Sequence, residues 1–218
     1  MMKFRRRVSS FFSKRRLLLK NIRGNNVRAE DDFAELYVLL CLVNAASVSY
    51  PDRLKAGAKK RTFVVATSPS SQWASASHFV VETASDPKVS YGIRSGFQVQ
   101  CHDTGTVELD LVIVPISSII GDVVNGADIA SAFEVKVHKR VLVSSLADQV
   151  LGKAVRVFDA RKVPCYLPSK ISRYCLVSAR PISDNARRCL TGAGIEWCLF
   201  GPELERWIQR TITVLGLA

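Results

Sequence analysis

From Phe33 to Val43, apolar residues stand at Phe33, Leu36, Tyr37, Leu40 and Val43, the three-and-four spacing of a helix. Val38, Leu39 and Leu42 fill much of the other side, so the spacing predicts a helix buried nearly all round, with Leu36, Leu40 and Val43 in its core. Glu30, Asp31 and Asp32 open it, where negative charge meets the positive end of the helix dipole. Ser49-Tyr50-Pro51-Asp52 breaks the pattern, and a basic loop follows from Lys55 to Arg61.

Short β-branched runs then predict strands over 62–66, 78–82, 93–101 and 107–114, the last stopped by Pro115. A loop punctuated by Gly121 and Gly126 leads to another strand over 132–137. Leu146, Val150, Ala154 and Val157 form one stripe of a helix over 142–158. A strand over 174–178, a helix over 184–191 with Ser183 as N-cap, and a strand over 195–200 make a β-α-β unit. Gly201-Pro202 opens a last helix with proline in its first turn.

The 218 residues carry 31 Lys and Arg against 19 Asp and Glu, a net charge of +12, which asks for a polyanionic partner, nucleic acid before an anionic membrane surface. The longest apolar run, Leu36 to Val43, is far short of the roughly 20 residues that span a bilayer. Six cysteines, none in a Cys-x-x-Cys pair, read as small buried hydrophobes of a reducing, cytoplasmic compartment. Residues 1–28 read as a basic N-terminal arm and 29–218 as one α/β domain. Within the arm Arg5, Arg6, Arg7, Lys14, Arg15 and Arg16 are the expected phosphate contacts. Its Arg- and Ser-rich composition also leaves organelle targeting open, and its apolar residues leave open anchoring at a membrane surface.

Candidate chemistry gathers on two strands. Alternation along Val107 to Ile113 puts Val107, Leu109, Leu111 and Ile113 on one face and Glu108 and Asp110 on the other. In Phe133-Glu134-Val135-Lys136-Val137 the apolar residues share a face, while Glu134 and Lys136 project together from the opposite one. Paired carboxylates at one end of a sheet suit a divalent metal, and a lysine beside them suits the handling of a water. His78, His102 and His138 are scattered, and neither a Gly-x-Ser-x-Gly elbow nor a phosphate-cradling Gly-x-x-x-x-Gly-Lys loop occurs.

An Asp on one strand followed by Glu-x-Lys on the next resembles the PD-(D/E)xK nuclease superfamily, over about residues 29 to 200 in element order. Phe33-Ala34-Glu35-Leu36-Tyr37 looks like the superfamily's leading helix, which often contributes a Glu. The resemblance implies a restriction-endonuclease-like fold, a mixed central sheet flanked by helices. It also implies Mg²⁺, with Mn²⁺ as a substitute, held by Asp110, Glu134 and the backbone carbonyl of Val135. Lys136 would position the attacking water and Glu35 would support the site from the helix. The implied activity is hydrolysis of nucleic-acid phosphodiesters, DNA favoured; a homodimer or larger assembly is left open.

Two departures stand out. Leu109 takes the place of proline before Asp110, and the 24 positions to Glu134 hold Asp122 and Asp128 as competing ligands. Without the resemblance, Glu134 and Lys136 are an exposed ion pair, Glu35 a cap or an arginine's partner, and Gln149 and His138 surface residues. The alternative function is then a non-catalytic nucleic-acid-binding or assembly protein.

Overall fold

The computed structural model describes residues 2–21, 27, 30–49, 55–57, 62–66, 71–83, 86–101, 105–137, 144–158 and 173–217. In chain order these form α1 (Met2–Lys14), β1 (Leu18–Asn21), α2 (Glu30–Ser49), β2 (Lys55–Gly57), β3 (Thr62–Val65), β4 (His78–Glu82) and β5 (Ser90–Cys101). There follow β6 (Gly105–Pro115), β7 (Ser131–Lys136), α3 (Ser144–Phe158), β8 (Tyr174–Ser178), α4 (Asp184–Gly192), β9 (Glu196–Leu199) and α5 (Pro202–Val214). His102 and His138 lie outside the described residues.

Seven strands make one sheet in the order β2-β4-β5-β6-β7-β8-β9. Pairing is antiparallel from β2 to β7 and parallel from β7 to β9, because α3 and α4 carry the chain back across the sheet. β1 and β3 form a separate parallel pair. The mixed α/β architecture read from the sequence is therefore present, and Ser183 does cap α4, its hydroxyl accepting the Ala186 amide at 3.3 Å.

Two hydrophobic cores sandwich the large sheet. One holds α1, α2 and α5, and includes Leu36, Leu40 and Val43 with Phe133 and Trp207. The other holds α3 and α4, with Val150, Ala154 and Val157 against Val112 and Leu176. Arg94 is fully buried in β5, its guanidinium donating to the carbonyls of Gln72 and Trp73 and to Ser75, while burial lowers its pKa to about 10. It ties the turn before β4 to the sheet.

The N-terminal segment corrects the arm expectation. Residues 2–14 are helical, and Phe4, Val8, Phe11 and Phe12 turn inward with i, i+4, i+7 and i+8 spacing. Val8 is 0% exposed and Phe12 3%, and the Phe12 ring lies 5.0 Å from that of Phe63. Arg7 donates to the Tyr37 hydroxyl at 2.7 Å. Only the opposite face of α1 stays in solvent, and it carries the charge.

Strict alternation also fails at one place in β6. Val107 and Leu109 pack into the α3–α4 core, whereas Leu111 and Ile113 pack into the α2 core. The switch falls at Asp110. On β5 the same switch separates Ile93 from Phe97, and Gly96, opposite Asp110 between the pairs Ser95–Leu111 and Phe97–Leu109, has φ +59°. A Cβ on Gly96 would stand 2.1 Å from the Ala66 carbonyl oxygen. Gly96→Ala is expected to cost about 2 kcal/mol or more, since the left-handed backbone costs roughly 1–2 and the clash forces a backbone shift. Urea titration checks it, and a loss under about 0.5 kcal/mol would mean the β5 kink is dispensable.

Candidate active site

The β6–β7 ladder registers Leu111 with Phe133, which sets Asp110 beside Glu134 at the end of the pairing. There the strands part, and the Val135 amide donates to Asp110 Oδ2 at 2.7 Å instead of to a backbone carbonyl. Ala132 and Lys136 direct their backbone groups at the β8 side, bonding Arg173 and Ala179. By the pleat, Val135 directs its amide and its carbonyl together toward the β6 side.

Lys136 bridges the two acids. Its Nζ stands 2.5 Å from Glu134 Oε1 and 3.4 Å from Asp110 Oδ2. Asp110 and Glu134 are buried, at 7% and 2% exposure, so this is not the exposed pair that the triplet alone allows. The structure thus brings together Asp110, Glu134 and Lys136.

Two further residues grip Glu134 that sequence reasoning passed over. Lys153 of α3 donates to both its oxygens, at 2.8 and 2.9 Å, and the Tyr174 hydroxyl donates to Oε2 at 3.2 Å. Lys153 had a signal: it lies three after Val150 and four before Val157, within the apolar stripe, where a charge needs a buried partner. Tyr174, in the strand expected over 174–178, had none. Gln149 is exposed, as is Glu108.

Electrostatics follow from this packing. Burial first, then the charge of Asp110, pushes the Glu35 carboxyl well above the usual carboxylate range. Burial and the Glu134 charge also raise Asp110, against the pull of Lys136, the Val135 amide and Lys153. Burial alone would lower the Lys136 ammonium, but Glu134 and Asp110 outweigh it and hold it above the usual lysine range. Tyr174 is raised well above its ordinary value by burial and the Glu134 charge, so it acts as a neutral donor.

Asp110, Glu134 and the Val135 carbonyl offer hard oxygen donors of the kind magnesium takes, and a cation already lies between the carboxylates in the form of the Lys136 ammonium. A divalent ion would need Lys136 to turn aside from that place. Among the described residues no three Asp, Glu, His or Cys side chains stand together as a metal cage. Asp122 and Asp128 are not competitors: the first caps the Ala74 amide and the second accepts from Asn125 at 3.5 Å.

The N-terminal basic residues do not surround this cluster. At 100° per residue, Tyr37 and Cys41 lie about 200° and 240° round α2 from Glu35. It is against that far side that Arg6, Arg7, Lys14 and Arg15 stand, while Arg5 packs over the Phe33 ring at 5.5 Å and Arg16 leaves the helix at φ 54°.

No family model matches the chain, and no curated protein matches it. A crystal structure of a protein of unknown function, AF1548, superposes with a TM-score of 0.36 at 12% identity, over 56% of this chain and 58% of that one. The chain thus spans a little over half the length of that structure, and a likeness so slight bears on neither fold nor chemistry.

Proposed function

We propose that the protein is a metal-dependent nuclease that hydrolyses nucleic-acid phosphodiesters, DNA favoured, in the manner of the PD-(D/E)xK superfamily. The observation that carries this reading is Lys136 bridging two buried carboxylates, Asp110 and Glu134, at the parting of β6 and β7. Asp110, Glu134 and the Val135 carbonyl would hold Mg²⁺ or Mn²⁺, which supplies charge neutralisation at the phosphate and a lowered pKa for a bound water.

The chain's own residues do the rest. Lys153 and Tyr174 keep Glu134 oriented while Lys136 leaves it. Lys136, freed from the carboxylates, orients the water and donates to the reacting phosphate. Burial and the Asp110 charge raise the Glu35 carboxyl, so a second negative charge beside Asp110 is opposed.

Supercoiled plasmid incubated with Mg²⁺ should be nicked or linearised, and Asp110→Asn should lower that rate at least about 10²-fold. Binding measured in Ca²⁺ should survive the substitution. A wild-type protein that binds DNA and never cleaves it, with Mg²⁺ or Mn²⁺, would replace this reading with that of a non-catalytic binder.

A further inference from the structure

The charge on α1 does not lie open on a convex surface. Together with α2 and α5 it frames a groove of about 1040 Å³. Arg6, Arg7, Lys14 and Arg15 line one wall, Leu40 and Ile208 contribute to the floor, and Glu205 is the one acid among the lining residues. Four cations against one anion make a site for an anionic ligand.

The cations run in file. Arg6, Ser10 and Lys14 follow at i, i+4 and i+8 on one side of α1, with Arg7 and Arg15 beside them. From Arg6 to Lys14 the helix rises about 12 Å. Successive phosphates of a strand advance roughly 3.4 Å along a duplex axis, so the file spans three or four of them. Two of the guanidinium groups are already held in place, Arg7 by the Tyr37 hydroxyl at 2.7 Å and Arg15 over the Phe11 ring at 3.6 Å. Guanidinium forks fixed in this way match phosphate oxygens better than flexible ammonium groups do.

A membrane surface is the weaker occupant. A helix that enters the headgroup region must offer it an apolar face, and Val8, Phe11 and Phe12 are committed to the core.

We infer that the α1–α2–α5 groove is a second nucleic-acid site, which grips a run of backbone phosphates on the side of α2 away from Glu35. The proposal takes nucleic acid as the partner from the reading above, but needs no cleavage chemistry. The groove would anchor a flank of the substrate, outside the segment at Asp110 and Glu134.

The test is anisotropy of a labelled 30-mer duplex in Ca²⁺ at several NaCl concentrations. Arg6→Gln with Lys14→Gln should weaken binding about tenfold and lower the slope of log K against log salt by about two. Arg6→Lys with Lys14→Arg, which keeps the charge, should restore both. Thermal melts of each variant separate lost binding from lost fold. An unchanged slope in a folded double variant overturns the proposal. So does loss of binding to phosphatidylserine vesicles with DNA binding intact, which would make the groove a lipid-headgroup site. A protein that binds through the groove but never cleaves leaves this inference standing and removes the nuclease reading alone.

Discussion

Alanine at position 136 should reduce Mg²⁺-dependent cleavage by roughly 10²-fold or more while DNA binding in Ca²⁺ persists, because positioning and proton-handling terms are of that size. A plain surface ion pair would cost about 0–1 kcal/mol of stability and change nothing else. Lys136 is not at that limit: its side chain is 22% exposed, and the side chains of its partners Asp110 and Glu134 are 10% and 2% exposed. Removing it leaves two buried carboxylates, of which Glu134 keeps its contact with Lys153. A stability loss of about 1–3 kcal/mol is therefore expected, below the 3–5 typical of fully buried pairs.

The loss should vary with pH in a defined sense. Asp110 and Glu35 bind protons more tightly folded than unfolded, so their contribution to stability grows as pH falls from neutrality toward the ordinary carboxylate range. Without Lys136 to oppose it, that trend should steepen. Arginine should rescue poorly, because its planar fork does not reproduce one compact charge between two carboxylates. Cleavage by Lys136→Ala at the wild-type rate would end the catalytic assignment.

The second large effect concerns α1. Phe12→Ala should cost on the order of 3–5 kcal/mol, the range for a buried phenylalanine whose neighbours cannot collapse into the space. Phe12 is 3% exposed and stands between Phe11 and Phe63, 5.3 and 5.0 Å away. Deleting α1 altogether should leave Tyr37, Phe63 and Phe79 facing water and lower the urea midpoint steeply. A change under about 1 kcal/mol for Phe12→Ala would restore the picture of a detachable basic arm.

The contrast between α1 and α2 explains what the sequence makes legible. In α2 the apolar spacing is unopposed by charge, and its expected core residues Leu36, Leu40 and Val43 are all buried. In α1 the same spacing at Phe4, Val8, Phe11 and Phe12 is present, but Arg5, Arg6, Arg7, Lys14 and Arg15 surround it and make composition read as a solvated tail. Periodicity outweighed charge here, since four inward rings and methyls outmatch the cost of helix formation among cations that remain in water.

At the site, the Glu-x-Lys face and the acid on the preceding strand are local features of two strands, and the geometry of Asp110, Glu134 and Lys136 follows from them. The grip of Lys153 and Tyr174 on Glu134 comes from elements 19 and 40 positions away, and only the packing of α3 and β8 against the sheet brings it about. The switch of faces at Asp110 is likewise invisible to alternation, because it depends on the conformation of one glycine in the neighbouring strand.

That switch has a consequence for how the protein tolerates change. Asp110 sits on the seam where one strand passes from one core to the other, so the two bodies of packed side chains meet at a catalytic candidate. A substitution deep in either, remote from any substrate, reaches the seam as a small shear between them. One oxygen atom then moves relative to Glu134 before either core has lost much free energy. Variants with nearly normal melting curves and poor chemistry should accordingly accumulate along β5 and β6, and the two strands should evolve as a coupled pair rather than residue by residue.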